Sequence, residues 1–178
     1  MGAQPADRTI AHTPYLRLIS RGDWSFVQRT TGIGVVAIVA VTDDDCLILV
    51  EQYRPPVAGT VIELPAGIAG DLADDPLEEL QAAARRELLE ETGYGAAHLR
   101  ELVTLASSAG LTDECVTLFL ADKLEKVGPG GGDESEDITV HTIPIASIDD
   151  WLTGAVRRGA LIDSRVYGAL YLLLKERP

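Results

Sequence analysis

Cysteine is nearly absent. The 178 residues contain two, Cys46 and Cys115, far apart and without a C-x-x-C pair. That spacing excludes a disulfide framework and a thiolate zinc site, and it fits a reducing, cytoplasmic setting. Basic residues are also scarce: 15 Lys and Arg stand against 28 Asp and Glu, for a formal net charge of −13 with histidine neutral. A chain this acidic lacks the broad positive field that attracts a phosphate backbone, so nucleic acid is not expected as a partner. A phosphate-bearing ligand would have to meet a local cation instead. No apolar run approaches the roughly 18 residues that span a bilayer, so no membrane is expected as a partner either. Met1 to Thr13 has no apolar h-region and reads as a mobile leader rather than a secretory signal. The remaining composition is ordinary, 46% hydrophobic and 24% charged, which is enough apolar material for one domain with its own core.

Tyr15–Ile19 and Trp24–Gln28 are β-rich runs around the turn residues Ser20, Arg21, Gly22 and Asp23, so a small antiparallel unit is expected to open the fold. Gly34–Val41 and Cys46–Glu51 read as buried central strands joined by an acidic turn. A short strand is expected near Val61–Leu64, then a loop from Pro65 to Asp75. Asp75 as N-cap, Pro76 at the first position, Glu78 three residues after the cap and Gly93 past the end together predict a helix over Pro76–Thr92. Strands follow near Leu99–Ala106, Val116–Ala121 and Ile138–Ile145, with helical patterns at Ile148–Thr153 and Ser164–Lys175. The glycine-rich run at 128–132 reads as a mobile surface loop. This order of elements points to an α+β or layered α/β/α fold.

At 100° per residue, Leu77, Leu80, Ala84 and Leu88 form one stripe of the predicted helix, and Glu87, Glu90 and Glu91 crowd along its edge. Like charges at these spacings repel, and at a helix C-terminus the dipole disfavours them. A solvated acidic face is the ordinary reading of a Glu-rich helix, but this placement costs stability without a cation among the glutamates. Clustered carboxylates without His or Cys suit Mg²⁺ or Mn²⁺.

Arg86-Glu87-Leu88-Leu89-Glu90-Glu91-Thr92-Gly93-Tyr94 matches the second half of the Nudix box, R-E-U-x-E-E-x-G-U with U apolar or aromatic, at every defined position. In the first half, Glu78 lies at the required distance before Arg86, but Leu72 stands where glycine is expected, and Gly67 is the nearest candidate glycine. Glu78 is therefore either functional or the reciprocal partner of Asp75 in a capping box. Gln52-Tyr53-Arg54-Pro55-Pro56, Glu63-Leu64-Pro65-Ala66-Gly67, Ser108 to Glu114 and Asp133 to Ile138 resemble the successive motifs of the ADP-ribose and nucleotide-sugar pyrophosphatase branch, with Ala109 where that branch usually has proline.

The resemblance implies a Nudix α/β/α sandwich with a mixed sheet. It divides the chain into a leader (1–14), a dimer-forming N-terminal β unit (15–30) and a Nudix hydrolase domain (31–178). Glu87, Glu90, Glu91 and the Ala66 carbonyl would hold Mg²⁺ or Mn²⁺, with Glu90 and Arg86 also serving catalysis and Arg86 orienting the glutamates. Glu114 would be the base. Arg54, Glu63, Trp24 and Glu136 would meet the substrate, Trp24 by stacking on the base and Glu136 by closing over it. The expected reaction is metal-dependent hydrolysis of a nucleoside diphosphate joined to X, ADP-ribose or a nucleotide sugar, to NMP and X-phosphate by a cytoplasmic homodimer. The alternatives are a housecleaning hydrolase of nucleoside triphosphates or dinucleoside polyphosphates, and a non-catalytic nucleotide-sugar sensor.

Overall fold

A strand buried on both faces reads as an unbroken apolar run, and Gly-Val-Val-Ala-Ile-Val-Ala at Gly34–Ala40 (β4) is the clearest case in the chain. The computed structural model describes residues 6–71, 75, 78–132 and 137–176. In chain order the other strands are β1 (Arg8–His12), β2 (Leu16–Arg21), β3 (Trp24–Arg29), β5 (Cys46–Arg54), β6 (Gly59–Glu63), β7 (Ala66–Ala69), β8 (Tyr94–Ala106), β9 (Cys115–Lys126), β10 (Thr139–Pro144) and β11 (Leu161–Ile162). The helices are α1 (Leu80–Thr92), α2 (Ile148–Arg157) and α3 (Ser164–Glu176).

Two four-stranded mixed sheets form the centre, with orders β7-β4-β9-β8 and β10-β5-β6-β11, and β1-β2-β3 make a separate antiparallel sheet. The parallel pairings are β4 with β9 and β11 with β6. Alternation along β4 defines the layers. Val35, Ala37 and Val39 share a core with Ile148, Leu152 and Ala155 of α2 and Val166, Ala169 and Leu173 of α3. Val36, Ile38 and Ala40 pack instead with Ala83, Ala84 and Leu88 of α1. Helices on both faces of sheet make the expected α/β/α sandwich. Each fully buried Ile or Leu in it contributes roughly 1.5–3 kcal/mol.

The structure departs from the sequence reading in four places. Part of the supposed leader is β1, paired antiparallel with β2 and tied by the Arg21–Asp7 ion pair at 2.6 Å. The loop expected from Pro65 to Asp75 contains β7, whose residues pair with Gly34–Ala37 of β4. Helix α1 begins at Leu80, with Glu79 at the N-cap making no side-chain cap. Pro76 and Leu77 lie outside the described residues, and the Glu78 carboxylate is not in a capping box with Asp75, because both its oxygens are taken by Arg86.

The fourth departure is the glycine-rich run, which is docked on the end of α1. The last carbonyls of a helix have no partner within it. Here Gly131 N–H donates to the Glu91 carbonyl at 2.7 Å and Gly132 N–H to that of Glu90 at 3.1 Å, while Val127 and Gly128 donate to Gly93. Lys126 Nζ reaches the Thr92 carbonyl at 2.6 Å. Glycine is required by the closeness of this contact: at Gly130, with φ +70°, a Cβ would lie 2.4 Å from the Thr92 carbonyl carbon. Gly130→Ala is therefore expected to cost about 1–3 kcal/mol of stability, read as a lower urea midpoint. Gly110→Ala, whose added Cβ has nothing within 4 Å, is expected to leave that midpoint unchanged.

Candidate active site

One guanidinium organises the carboxylates of α1. Arg86 donates from Nε and Nη2 to the two oxygens of Glu78 at 3.0 and 2.9 Å, and from Nη1 to Glu87 at 2.8 Å and Glu90 at 3.0 Å. Its Nη2 also reaches the Ile68 carbonyl at 3.1 Å and Asp71 at 3.4 Å. The paired fork on Glu78 is the strong, directional form of the interaction. The hydrogen bonds from Arg86 hold the buried Glu78 carboxyl below its ordinary range, and those same bonds raise the guanidinium above its own.

Glu87 is less well compensated. Burial pushes its carboxyl up to about 7, against the lowering effect of Arg86. It lies on β7 so closely that a Cβ on Gly67 would fall 1.9 Å from its carboxyl carbon and Oε1. Only glycine permits that approach. Glu91, buried at 3% exposure, accepts the backbone N–H of Ala66 at 3.1 Å.

These groups line a cavity of about 580 Å³ whose walls carry six carboxylates and four guanidinium groups. The carboxylates are Glu63, Asp71, Glu87, Glu90, Glu91 and Glu114, and the cations are Arg29, Arg54, Arg86 and Arg165. The donor set is all hard oxygen, with a poorly compensated Glu87 and the Ala66–Gly67 backbone beside it, and it fits a divalent ion of the Mg²⁺ type. Among the described residues no three His, Cys, Asp or Glu side chains converge closely enough to hold an ion. In this arrangement the Glu87 and Glu90 carboxylates are turned to Arg86.

Across the cavity, Glu114 receives Arg29 Nε at 2.5 Å. Arg29 ends β3, and that strand is sewn to the loop before β9 by the Val27 N–H bond to the Leu111 carbonyl and by Gln28 on Asp113. Arg54 donates to Glu63 from Nε at 2.8 Å, and Arg165 Nη2 stands 3.8 Å from the same carboxylate. A second cavity of about 510 Å³ adjoins the first and shares Arg29, Val35 and Glu114 with it.

Of the residues picked from sequence, Arg54, Glu63, Ala66, Arg86, Glu87, Glu90, Glu91 and Glu114 meet around the one cavity. Trp24 does not. It is 66% exposed and lines a separate hollow of about 300 Å³ with Arg21, Phe26, Ala109, Gly110, Thr112 and Asp113. Glu136, with Glu134, lies outside the described residues. Sequence reasoning missed Arg29, Asp71 and Arg165. Nothing in the spacing marks Arg29 or Asp71, because the sheet pairing of β3 and the fold of β7 bring them in. For Arg165 a weak signal exists: an arginine two residues after an aspartate in the first turn of a helix.

Comparison with known proteins gives the family. Residues 31–160 match the family described as NUDIX domain. An ADP-ribose pyrophosphatase of Bacillus subtilis is 36% identical over 144 residues, which is 80% of this chain and 74% of that protein. A methanol dehydrogenase activator of Bacillus methanolicus is 34% identical over 145 residues, again 80% of this chain and 74% of the relative. A crystal structure of an ADP compounds hydrolase superposes with a TM-score of 0.75 at 24% identity, covering 97% of this chain and 92% of the other, which shows the fold. The chain belongs to the NUDIX family and is a hydrolase.

Two outcomes follow from the charge network. Arg86→Gln strips the paired partner from buried Glu78 and from Glu87, and is expected to cost about 2–4 kcal/mol in denaturant unfolding. In metal-free protein the raised Glu87 carboxyl favours the protonated folded state. Its contribution is present below the unfolded value near 4.5 and is lost as pH rises through about 7. Unfolding in EDTA at pH 5 and pH 8 should show this loss, and Glu87→Gln should remove it.

Proposed function

We propose that this NUDIX hydrolase cleaves the pyrophosphate bond of a nucleoside diphosphate joined to a second group, ADP-ribose or a nucleotide sugar, giving NMP and X-phosphate. The observation that carries the reading is the two-lobed cleft. One lobe alternates carboxylates with arginines, as a diphosphate and its counter-ion require, and the adjoining lobe is lined by Arg17, Gln28, Thr30 and Thr31 among others and offers room for a neutral polar group. The substrate name carried by the Bacillus subtilis relative supports ADP-ribose.

Glu87, Glu90, Glu91 and the Ala66 carbonyl would hold Mg²⁺ or Mn²⁺. A divalent ion bound there supplies charge neutralisation for the diphosphate and lowers the pKa of a bound water. Arg86 gathers Glu87 and Glu90 on one side of α1. Glu114 is the base: it takes the proton of the attacking water as one phosphorus–bridging oxygen bond breaks and its electron pair leaves with the departing phosphate. In the free protein Arg29 engages one oxygen of Glu114, and turning of Arg29 to the substrate's phosphate would free that oxygen for the attacking water. Arg54 steadies the diphosphate from the same cavity. Glu63 serves it by holding Arg54, and Glu136 is a further candidate for contact with the substrate.

The N-terminal sheet supports a homodimer. Ile10, Tyr15, Leu16, Leu18 and Trp24 are exposed on a unit whose only buried apolar side chain among the described residues is Ile19. A second copy would cover them, and Trp24 could then serve the partner's base pocket. No helix among the described residues is long and apolar enough to cross a membrane, and two free cysteines suit the cytoplasm.

Release of phosphatase-sensitive phosphate from ADP-ribose, nucleotide sugars, dinucleoside polyphosphates and NTPs tests the reading, with Mg²⁺ and with EDTA. The expected result is metal-dependent cleavage of one diphosphate-linked class, with Glu91→Gln and Glu114→Gln each slowing it by about 10²–10⁴-fold. Turnover of triphosphates alone, or tight binding without turnover, overturns it.

A further inference from the structure

We infer that Arg165 joins Arg54 in a braced pair of guanidinium groups that grips the substrate's diphosphate, with Asp163 and Glu63 as the positioning residues. The inference rests on the pyrophosphatase reading above and adds to it a residue from the far end of the chain.

Arg165 sits in the first turn of α3. Its Nε and Nη2 donate to the two oxygens of Asp163 at 2.8 and 2.6 Å, and its backbone N–H adds a third bond to Asp163 at 2.7 Å. Asp163 is itself pinned to the sheet, its N–H donating to the Ile62 carbonyl of β6 at 2.9 Å. Next along β6, Glu63 takes Arg54 Nε and Nη2 on Oε2 at 2.8 and 2.7 Å, while its Oε1 lies 3.8 Å from Arg165 Nη2. One buried carboxylate therefore stands between the two guanidinium groups, and both arginines line the acidic cavity.

The arrangement leaves a specific surplus. On each arginine, Nε and Nη2 are spent on the bracing carboxylate, and Nη1 has no hydrogen-bond partner among the described residues. A guanidinium fixed on one edge presents the other as a ready donor pair, the geometry that phosphate oxygens accept. The two acids and two bases are neutral together, so the cations can sit in a strongly acidic chain without mutual repulsion. Burial pushes the Asp163 carboxyl up, but the bonds from Arg165 outweigh it and keep the pair ionised. A purely structural ion pair gains little over apolar packing, whereas an anion entering a cavity with six carboxylates needs preplaced cations.

The test is calorimetric titration of ADP-ribose and inorganic pyrophosphate in EDTA, where no metal-dependent turnover intervenes, alongside KM and kcat for ADP-ribose with Mg²⁺. Arg165→Gln is expected to weaken both probes by about 10–100-fold and to raise KM more than it lowers kcat. Asp163→Asn should weaken both probes in the same direction by freeing the guanidinium, and Arg165→Lys should recover part of the affinity through charge without the fork. Unchanged binding and KM in Arg165→Gln overturns the clamp while leaving the pyrophosphatase reading intact. Wild-type binding that depends on Arg165, without hydrolysis, leaves the clamp standing and overturns the reading. Wild type that binds neither probe overturns the clamp. If Arg165→Gln does not fold, Arg165→Lys decides: wild-type affinity in it counts against the fork.

Discussion

The acidic end of α1 depends on the Arg86 guanidinium. Three glutamates within five residues, on a helix end where the dipole already disfavours negative charge, make a locally unstable arrangement. Arg86 offsets it because a guanidinium has five N–H donors in a fixed plane, and here they are distributed over Glu78, Glu87, Glu90 and the Ile68 carbonyl. A lysine has one point of charge and could not serve these directions together. The same network locates β7 against α1, so the packing of Gly67 under Glu87 and the spread of the carboxylates have a common origin.

Rigidity reaches this network from the sheets. Because β4 is apolar on both faces, α1 is held on one side and α2 and α3 on the other. The chemically rich residues then fall at element ends: Arg29 at the end of β3, Arg54 at the end of β5, Glu63 at the end of β6, Ala66 at the start of β7, Arg165 in the first turn of α3. Element ends can differ in side chain without disturbing the core, yet their positions are set by it. Docking of the 128–132 run adds a second restraint. It satisfies the carbonyls of Glu90 and Glu91, the same residues whose side chains face the cavity.

What was legible in the sequence follows from how local each signal is. The central strands, α1 from Leu80 onward and the helices α2 and α3 carry their periodicity within a few residues, and the glutamate cluster is a single short motif. Strand β7 was hidden because a four-residue strand without alternation, Ala-Gly-Ile-Ala, is defined by its partner β4 rather than by its own pattern. The glycine run misled for a related reason: flexibility and close approach require the same residue, and only the neighbour at Thr92 and Gly93 distinguishes them. Glu78 looked like a cap because its spacing from Asp75 allows one. It is drawn to Arg86 instead, where a buried, two-point charged bond outweighs a single bond to a backbone N–H.

The overall charge then takes on a local meaning. At −13 the long-range field repels polyanions, yet at short range the cavity alternates sign residue by residue. A small anion that brings or meets its own counter-ion can be accommodated there, because its charge is matched within a few ångströms and screening beyond about 8–10 Å removes the rest. Pairing each arginine with an acid, Arg29 with Glu114, Arg54 with Glu63 and Arg165 with Asp163, keeps these cations ordered in the cleft. In the proposed reading an anion would exchange partners with Arg29, whose single Nε bond to Glu114 would give way, and would only add contacts at Arg54 and Arg165, whose Nε and Nη2 stay on their bracing carboxylates. On that proposal the cleft separates the arginines that would hold substrate from the one whose movement would uncover the base.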